Sequence, residues 1–285
     1  MKYYLVVLCG MLLLSFPMQT SALDIDVLRT AAVNGDPAAQ NDWGRHLITS
    51  RQFDPDYEEA INWFRASAQQ GYPPGQTSLA ECFFEGNGTG MNIAEAIVWY
   101  SLAADKGYNP ALIGLGECYL EYSHKNYPEA MRCFRAAADA GSAEGDYMLG
   151  YMYEWGLGVT KDWKEAANWW IKPATAGHVK AQGSLGDYYL IRQNPPDVEQ
   201  GLRWLFLAAG MGDLSAVTRL AYYYEDEEDH PETYYWYLIA GALGERYPQE
   251  SRERAASYLL PEEIEEIRAR AERWFEDYLT QRFQW

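Results

Sequence analysis

The chain predicts an all-α fold, a right-handed α-solenoid of about six helix-turn-helix repeats closed by a C-terminal helical cap. Three observations predict it. Gly35, Gly71, Gly107, Gly141, Gly177, Gly212 and Gly244 recur at intervals of 32 to 36 residues, a period that marks stacked supersecondary units. Each of these glycines closes an alanine- and tryptophan-rich run, such as Ala96 to Lys106 before Gly107, as the residue just past a helix end does. The same residue classes also return in register. Leu79, Leu115, Leu149, Leu185 and Leu220 share one position, and Ala80, Gly116, Gly150, Gly186 and Ala221 the next.

The elements follow in order. Residues 1–22 read as a secretory signal peptide: Lys2 supplies the positive start, Leu5 to Phe16 the apolar core, and Thr20-Ser21-Ala22 the small residues at a cleavage site. That core is too short to span a bilayer of roughly 30 Å. Cys9 lies inside it, where a lipidated cysteine would follow it. No later apolar run is long enough to be a membrane span, so the expected product is exported, periplasmic or secreted, and begins near Leu23. Residues 23–37 form an N-terminal half-repeat or cap, and residues 38–244 six repeats.

The unit from Ser142 to Gly177 is the clearest. Gly145, Leu149, Gly150 and Tyr153 lie along one side of a first helix, and Gly156-Leu157-Gly158-Val159 makes the turn. Asp162 with Glu165 three residues on caps a second helix. Ala166, Trp169 and Ala174 are expected on its buried side, and Pro173 is expected to kink it or end it early. Across the units, Phe83, Tyr119, Tyr153, Tyr189 and Tyr224 form one aromatic column. Trp63, Trp99, Trp169, Trp204 and Trp236 form another, with Cys133 in the place of a tryptophan. Rings this large are read as core, which accounts for the aromatic content without a ligand. Residues 245–285 break the period and read as two capping helices, Gln249 to Leu260 and Pro261 to Gln281, with Ile264, Ile267, Ala271, Trp274 and Phe275 at helical spacing.

Composition narrows the function. A net charge of −18 over 285 residues argues against nucleic acid and against an anionic membrane surface. The mature chain keeps Cys82, Cys118 and Cys133, too few for a disulfide framework. Cys82 and Cys118 hold equivalent places one repeat apart. Cys118 and Cys133 are the only pair that could bridge, and free thiols are expected. His46, His124, His178 and His230 are scattered, with no metal-ligand pair, phosphate-binding glycine loop or nucleophile elbow. Cys118 and His124 lack a third orienting group. The run Glu225 to Asp229 lacks the glycine and alternating ligands of a calcium loop. The reading is of a non-enzyme with no cofactor and no metal.

The pattern A-x3-L-G-x2-Y-x2-G-x-G, then A-x2-W-x3-A-A-x2-G, resembles the Sel1-like repeat family, relatives of tetratricopeptide repeats. Three units depart at the turn, with Ser123 to Tyr127, Pro195-Pro196 and Glu225 to Asp229 where the glycines belong. Cysteine-rich members of that family are linked to β-lactam binding. This chain lacks their cysteine pairing and any S-x-x-K motif, so a β-lactamase-like hydrolase stays a remote alternative.

The resemblance implies that first helices line the concave face. Their inward-facing column then reads Arg45, Glu81, Glu117, Tyr151, Asp187 and Tyr222. Neighbouring places add Phe84, Glu85, Leu120, Glu121, Tyr147, Glu154, Trp155, Leu190, Glu225 and Asp226. The expected site is an acidic groove, Glu81, Glu85, Glu117, Glu121, Glu154 and Asp187, with aromatic contacts from Phe84, Tyr147, Tyr151, Trp155 and Tyr222. Such a groove fits a mostly monomeric, exported protein-protein interaction module, an adaptor or scaffold whose partner carries a basic patch. The alternative is a periplasmic immunity protein that neutralises a secreted toxin.

Overall fold

The computed structural model of the chain describes residues 22–49, 56–121, 125–245 and 249–283. The expected leader, residues 1–22, lies outside these apart from Ala22. Among the described residues there are fifteen α-helices, one π-helical turn and no strand. Helix α1 (Ala22–Val33) leads into six antiparallel pairs: α2 (Pro37–Thr49) with α3 (Tyr57–Gln69), α4 (Pro73–Glu85) with α5 (Ile93–Ala104), and α6 (Asn109–Glu121) with α7 (Tyr127–Asp139). Then come α8 (Ala143–Trp155) with α9 (Trp163–Thr175), α10 (Val179–Asp187) with α11 (Val198–Gly210), and α12 (Leu214–Asp226) with α13 (His230–Ala242). The π turn Tyr188–Arg192 prolongs α10, and α14 (Gln249–Ala256) and α15 (Pro261–Phe283) end the chain. From α1 to α14 each helix packs on its chain neighbours, which makes the array an α-solenoid, and α15 packs back on α13.

The sequence writes both ends of every second helix. All six start on an Asp or Asn whose side chain accepts from the backbone N–H three residues on: Asp56, Asn92, Asn126, Asp162, Asp197 and Asp229. The residue at that third place is Glu or Gln in every case, the capping-box pairing. At the other end the recurrent glycines all take positive φ, from 76° at Gly71 to 96° at Gly244, where only glycine is unstrained. Around Gly71, Gly71 N–H donates to the Ala68 carbonyl and Tyr72 N–H to that of Ser67. This Schellman pairing repeats at the other six glycines.

Packing corrects the tryptophan column. Trp236 and Cys133 are buried as expected, but Trp63, Trp99, Trp169 and Trp204 are half-buried; Trp169 packs against the core around Phe134 and Met152. The deepest large side chains sit one place later: Phe64, Tyr100, Phe134, Trp170, Leu205 and Tyr237 are at most 3% exposed. One helical step rotates a side chain by about 100°, and Phe64, Phe134, Trp170 and Leu205 of this second column lie against Gly44, Gly116, Gly150 and Gly186 in the first helix of their own unit. The small-residue column exists to receive it. A Cβ on Gly116 would come within 2.5 Å of the Phe134 ring, one on Gly150 within 2.2 Å of the Trp170 indole, and one on Gly186 within 2.6 Å of Leu205.

Pro173 neither shortens nor ends α9, which reaches Thr175 and keeps the common length of 13 residues. The proline lies one turn from the helix end, so it removes a single ladder bond, and its carbonyl still accepts from His178 N–H. Cys82, Cys118 and Cys133 are buried, unbridged thiols. Desolvation pushes the first two up to about 12 and Cys133 up to about 11. At the C-terminus Ile267 and Ala271 of α15 join the core around Tyr234 and Tyr237. Arg270 forks onto Glu232 at 2.6 and 2.7 Å.

Candidate interaction surface

First helices of successive units touch one another directly, α2 with α4, α4 with α6 and α10 with α12. Arg45, Glu81, Glu117, Tyr151, Asp187 and Tyr222 form a row in register, each at the ninth place of its first helix. The carboxylates in the row do not share one condition.

Glu81 is exposed and Glu117 half-buried, and among the described residues neither holds an ion pair. Desolvation raises both carboxyls. Glu85 adds repulsion at Glu81, where Arg45 opposes it. At Glu117 the added repulsion comes from Glu144, Glu81 and Glu85, and Lys180 opposes it. Helices α4, α6 and α8 thus bring four carboxyl groups into one field, as expected for a groove lined by one sign of charge. Glu121, at the end of α6, is exposed. Glu144 is the exception, because His178 satisfies it at 2.8 Å. His178 Nδ1 accepts from Ala181 N–H, so the ring proton sits on Nε2 and is donated to the carboxylate. That hydrogen bond holds the Glu144 carboxyl below its usual range.

Asp187 corrects the expectation of a free carboxylate. Arg219 of α12 grips it with Nε at 2.6 Å and an Nη at 3.1 Å, a bidentate fork that consumes its charge. Glu225 is likewise held, by the Tyr237 hydroxyl at 2.6 Å and by Arg254. Glu154 is pushed up to about 7, first by burial and then by Asp187, with Arg192 and Lys161 opposing.

The aromatic centre is also mixed. Trp155 is 57% exposed and its ring lies 6.2 Å from that of Tyr151. Tyr147 and Tyr151 instead lean on the core around Phe134 and Met152. Tyr147 also stacks on His178 at 5.0 Å, and burial raises its hydroxyl to about 12. Phe84 packs against the cluster around Tyr100, Leu120 joins the core around Phe134, and Leu190 that around Val217. Tyr222 is 42% exposed. Trp155 is the ring that stands out furthest beside the carboxylates.

Sequence reasoning missed Arg219, His178 and a basic cluster at Lys161, Lys164 and Arg192. The signal for Arg219 was present: it lies 32 residues after Asp187, one repeat less one helical turn. Among the described residues, no group of three or more His, Cys, Asp or Glu is placed to hold a metal ion. Nor is any described helix long and apolar enough to cross a membrane.

The Sel1 repeat model matches this chain six times in succession, at residues 37–72, 73–108, 109–142, 143–178, 179–213 and 214–245. The chain belongs to the Sel1 repeat family. An uncharacterized protein of Neisseria meningitidis serogroup B is 32% identical over 176 residues, 61% of this chain and 36% of that protein. Chitin synthase regulatory factor 3 of Schizosaccharomyces pombe is 39% identical over 66 residues, 23% of this chain and 7% of that protein. The chain therefore spans about a third or less of these relatives. A crystal structure of a Sel1 repeat protein from Oxalobacter formigenes shares the fold at a TM-score of 0.60 and 24% identity, covering 82% of this chain and 98% of that one. Repeats of this family are protein-protein interaction modules.

Proposed function

We propose that this chain is an exported binding module that holds a basic stretch of a partner protein along the inner face of its second and third repeats. The observation that carries this is the pair Glu81 and Glu117. Their carboxyls are raised by burial and by neighbouring carboxylates, and no cation holds them at ion-pair distance among the described residues. A lysine or arginine from a partner meets these carboxylates without displacing an existing ion pair. Glu85 and Glu121 extend the row, and Trp155 offers an exposed ring at its end for a desolvated contact. Export rests on the apolar run Leu5 to Phe16 and the small residues before Leu23.

The test is binding kinetics with a partner captured from the native host. Replacing Glu81, Glu85 and Glu117 by lysine is expected to slow association at least about tenfold and to flatten its salt dependence. Unchanged kinetics with an intact circular dichroism spectrum would move the site off this face.

A further inference from the structure

A second feature carries the opposite sign. Between the turn that joins α8 to α9 and the π turn after α10 lies an open recess of about 570 Å³. Lys161, Lys164 and Arg192 line it with Trp163, Asp162 and Asn194. Lys161 Nζ lies 4.8 Å and the Arg192 guanidinium 4.3 Å from the centre of the Trp163 ring. Lys161 also stands 5.8 Å from the Trp155 ring. Several other cations of this acidic chain are held by carboxylates: Lys172 by Asp146, Arg219 by Asp187, Arg254 by Glu225 and Arg270 by Glu232. Among the described residues, the three lysine and arginine heads of the recess hold no carboxylate at ion-pair distance. Asp162, the one acid in the lining, is committed to capping α9 through Lys164 and Glu165 N–H.

The scaffold does not require this cluster. The second repeat has the same turn, with Gly86 and Gly88 in the places of Gly156 and Gly158 and both pairs at positive φ. There Met91, Ile93 and Ala94 stand where the fourth repeat has Lys161, Trp163 and Lys164. Arg192 is supplied by a feature found at no other described repeat, the π turn, which Gln193 N–H closes onto the Tyr188 carbonyl at 2.8 Å. A π turn widens a helix end and re-aims the side chains that follow, a device frequent at functional sites. Here it packs against both α9 and α11, which sets Arg192 beside the start of α9.

We infer that this recess binds a carboxylate group of an acidic peptide segment, with the Arg192 fork and Lys161 as the charged donors and Trp163 as the platform that orients them. Arg beside an aromatic face is pre-organised for a planar oxyanion, and ring contact limits the entropy lost on capture. Three cations face one carboxylate within the lining, and the field of Glu154, which reaches both Arg192 and Lys161, repels a dianionic phosphate more than a carboxylate. The site lies at the turns, apart from Glu81 and Glu117, and the inference does not rest on the function proposed for those residues.

The experiment titrates the protein with acetyl-tetraglutamate amide and, separately, with pyrophosphate. The readout is the indole N–H resonances of Trp155 and Trp163, assigned by Trp→Phe substitution. About 0.15 M salt screens the repulsive field of the whole chain beyond roughly 8 Å while leaving contact pairs in place. Saturable movement of both resonances by the peptide is expected. Lys161→Ala and Arg192→Ala together should weaken binding about tenfold, the scale of one charge-assisted pair. Arg192→Lys should lose most of what Arg192→Ala loses, because a point charge cannot fork. All three substitutions fall on exposed side chains, and circular dichroism reports whether the fold persists. No saturation, or saturation that ignores the variants, overturns the site. Tighter binding of pyrophosphate than of the peptide overturns the carboxylate assignment.

Discussion

The first helices of repeats two and three and of repeats five and six all carry carboxylates in their C-terminal halves, yet these meet different fates. In the first region Glu81 and Glu117 face Glu85 and one another, opposed at a distance by Arg45 and Lys180. In the second, Asp187 is forked by Arg219, and Glu225 is held by Arg254 and Tyr237. A repeat fixes where a side chain points. Whether its charge is available depends on what the next helix supplies at the adjoining place. Among the described residues the first region therefore keeps carboxylates with no cation at ion-pair distance, and the second has been given its cations from within.

The fourth repeat joins these regions, and the largest expected effect lies there. Trp170 is fully buried, donates its indole N–H to the Tyr147 carbonyl at 3.1 Å, and fills the space over Gly150. Trp170→Ala should cost roughly 3–5 kcal/mol through lost transfer energy and the cavity left behind. Because stability in an array is a sum of nearest-neighbour terms, the loss should uncouple the acidic region from the arginine-held one. Hydrogen exchange followed separately in α4 to α7 and in α11 to α13 is expected to show two opening free energies in the variant. Trp169→Ala should cost less, since its ring is half-exposed. Equal losses for the two tryptophans would reject this order of packing depth.

The contrast between the two tryptophans also shows how far the sequence was legible. The glycine period, the caps and the helix pairs followed from residue classes at fixed spacing, and local backbone chemistry decides those features. The choice between Trp169 and Trp170 did not follow, because both lie near one helix edge and the first helix of the same unit decides which is enclosed. Helix register was legible: Glu81, Glu117 and Asp187 do fall on equivalent turns of α4, α6 and α10. Their electrostatic state was not, since Arg219 and His178 come from the following repeat. Nor could spacing foresee the π turn that carries Arg192 to Trp163.

Acidity separates the two regions next. Glu154 ionises near 4.5 in an unfolded chain, but burial and Asp187 push it up to about 7 in the fold. The fold therefore binds this proton more tightly than the unfolded chain does. Its contribution to stability is fully present below about 4.5 and is lost as pH rises through about 7. Glu81 and Glu117 act with the same sign. Glu144, lowered by its bond from His178, acts with the opposite sign and loses its contribution as the medium becomes acid. Glu154→Gln should flatten the decline in thermal midpoint between pH 4.5 and 7.5 relative to the parent. A parallel profile for parent and variant would show that Glu154 is not strained by its surroundings.

The smallest effect isolates the difference between the two faces by one neutral substitution in each. Asp187→Asn removes the anionic half of a partly exposed fork and leaves Arg219 without its carboxylate. Pairs of this exposure are worth about 0.2–1 kcal/mol, so the variant should melt about 2 °C lower. Glu117→Gln removes a carboxylate whose folded environment disfavours its charge, and should leave the midpoint unchanged or slightly raised. The contrast in sign carries the information, because both substitutions delete one negative charge and shift the net charge of the chain equally. Raising the salt concentration should shrink both effects, since each is a screened interaction near the surface. If both variants lose stability alike, the Glu117 carboxylate is already satisfied in the free protein, and the face of repeats two and three would have no unmet charge to offer a partner.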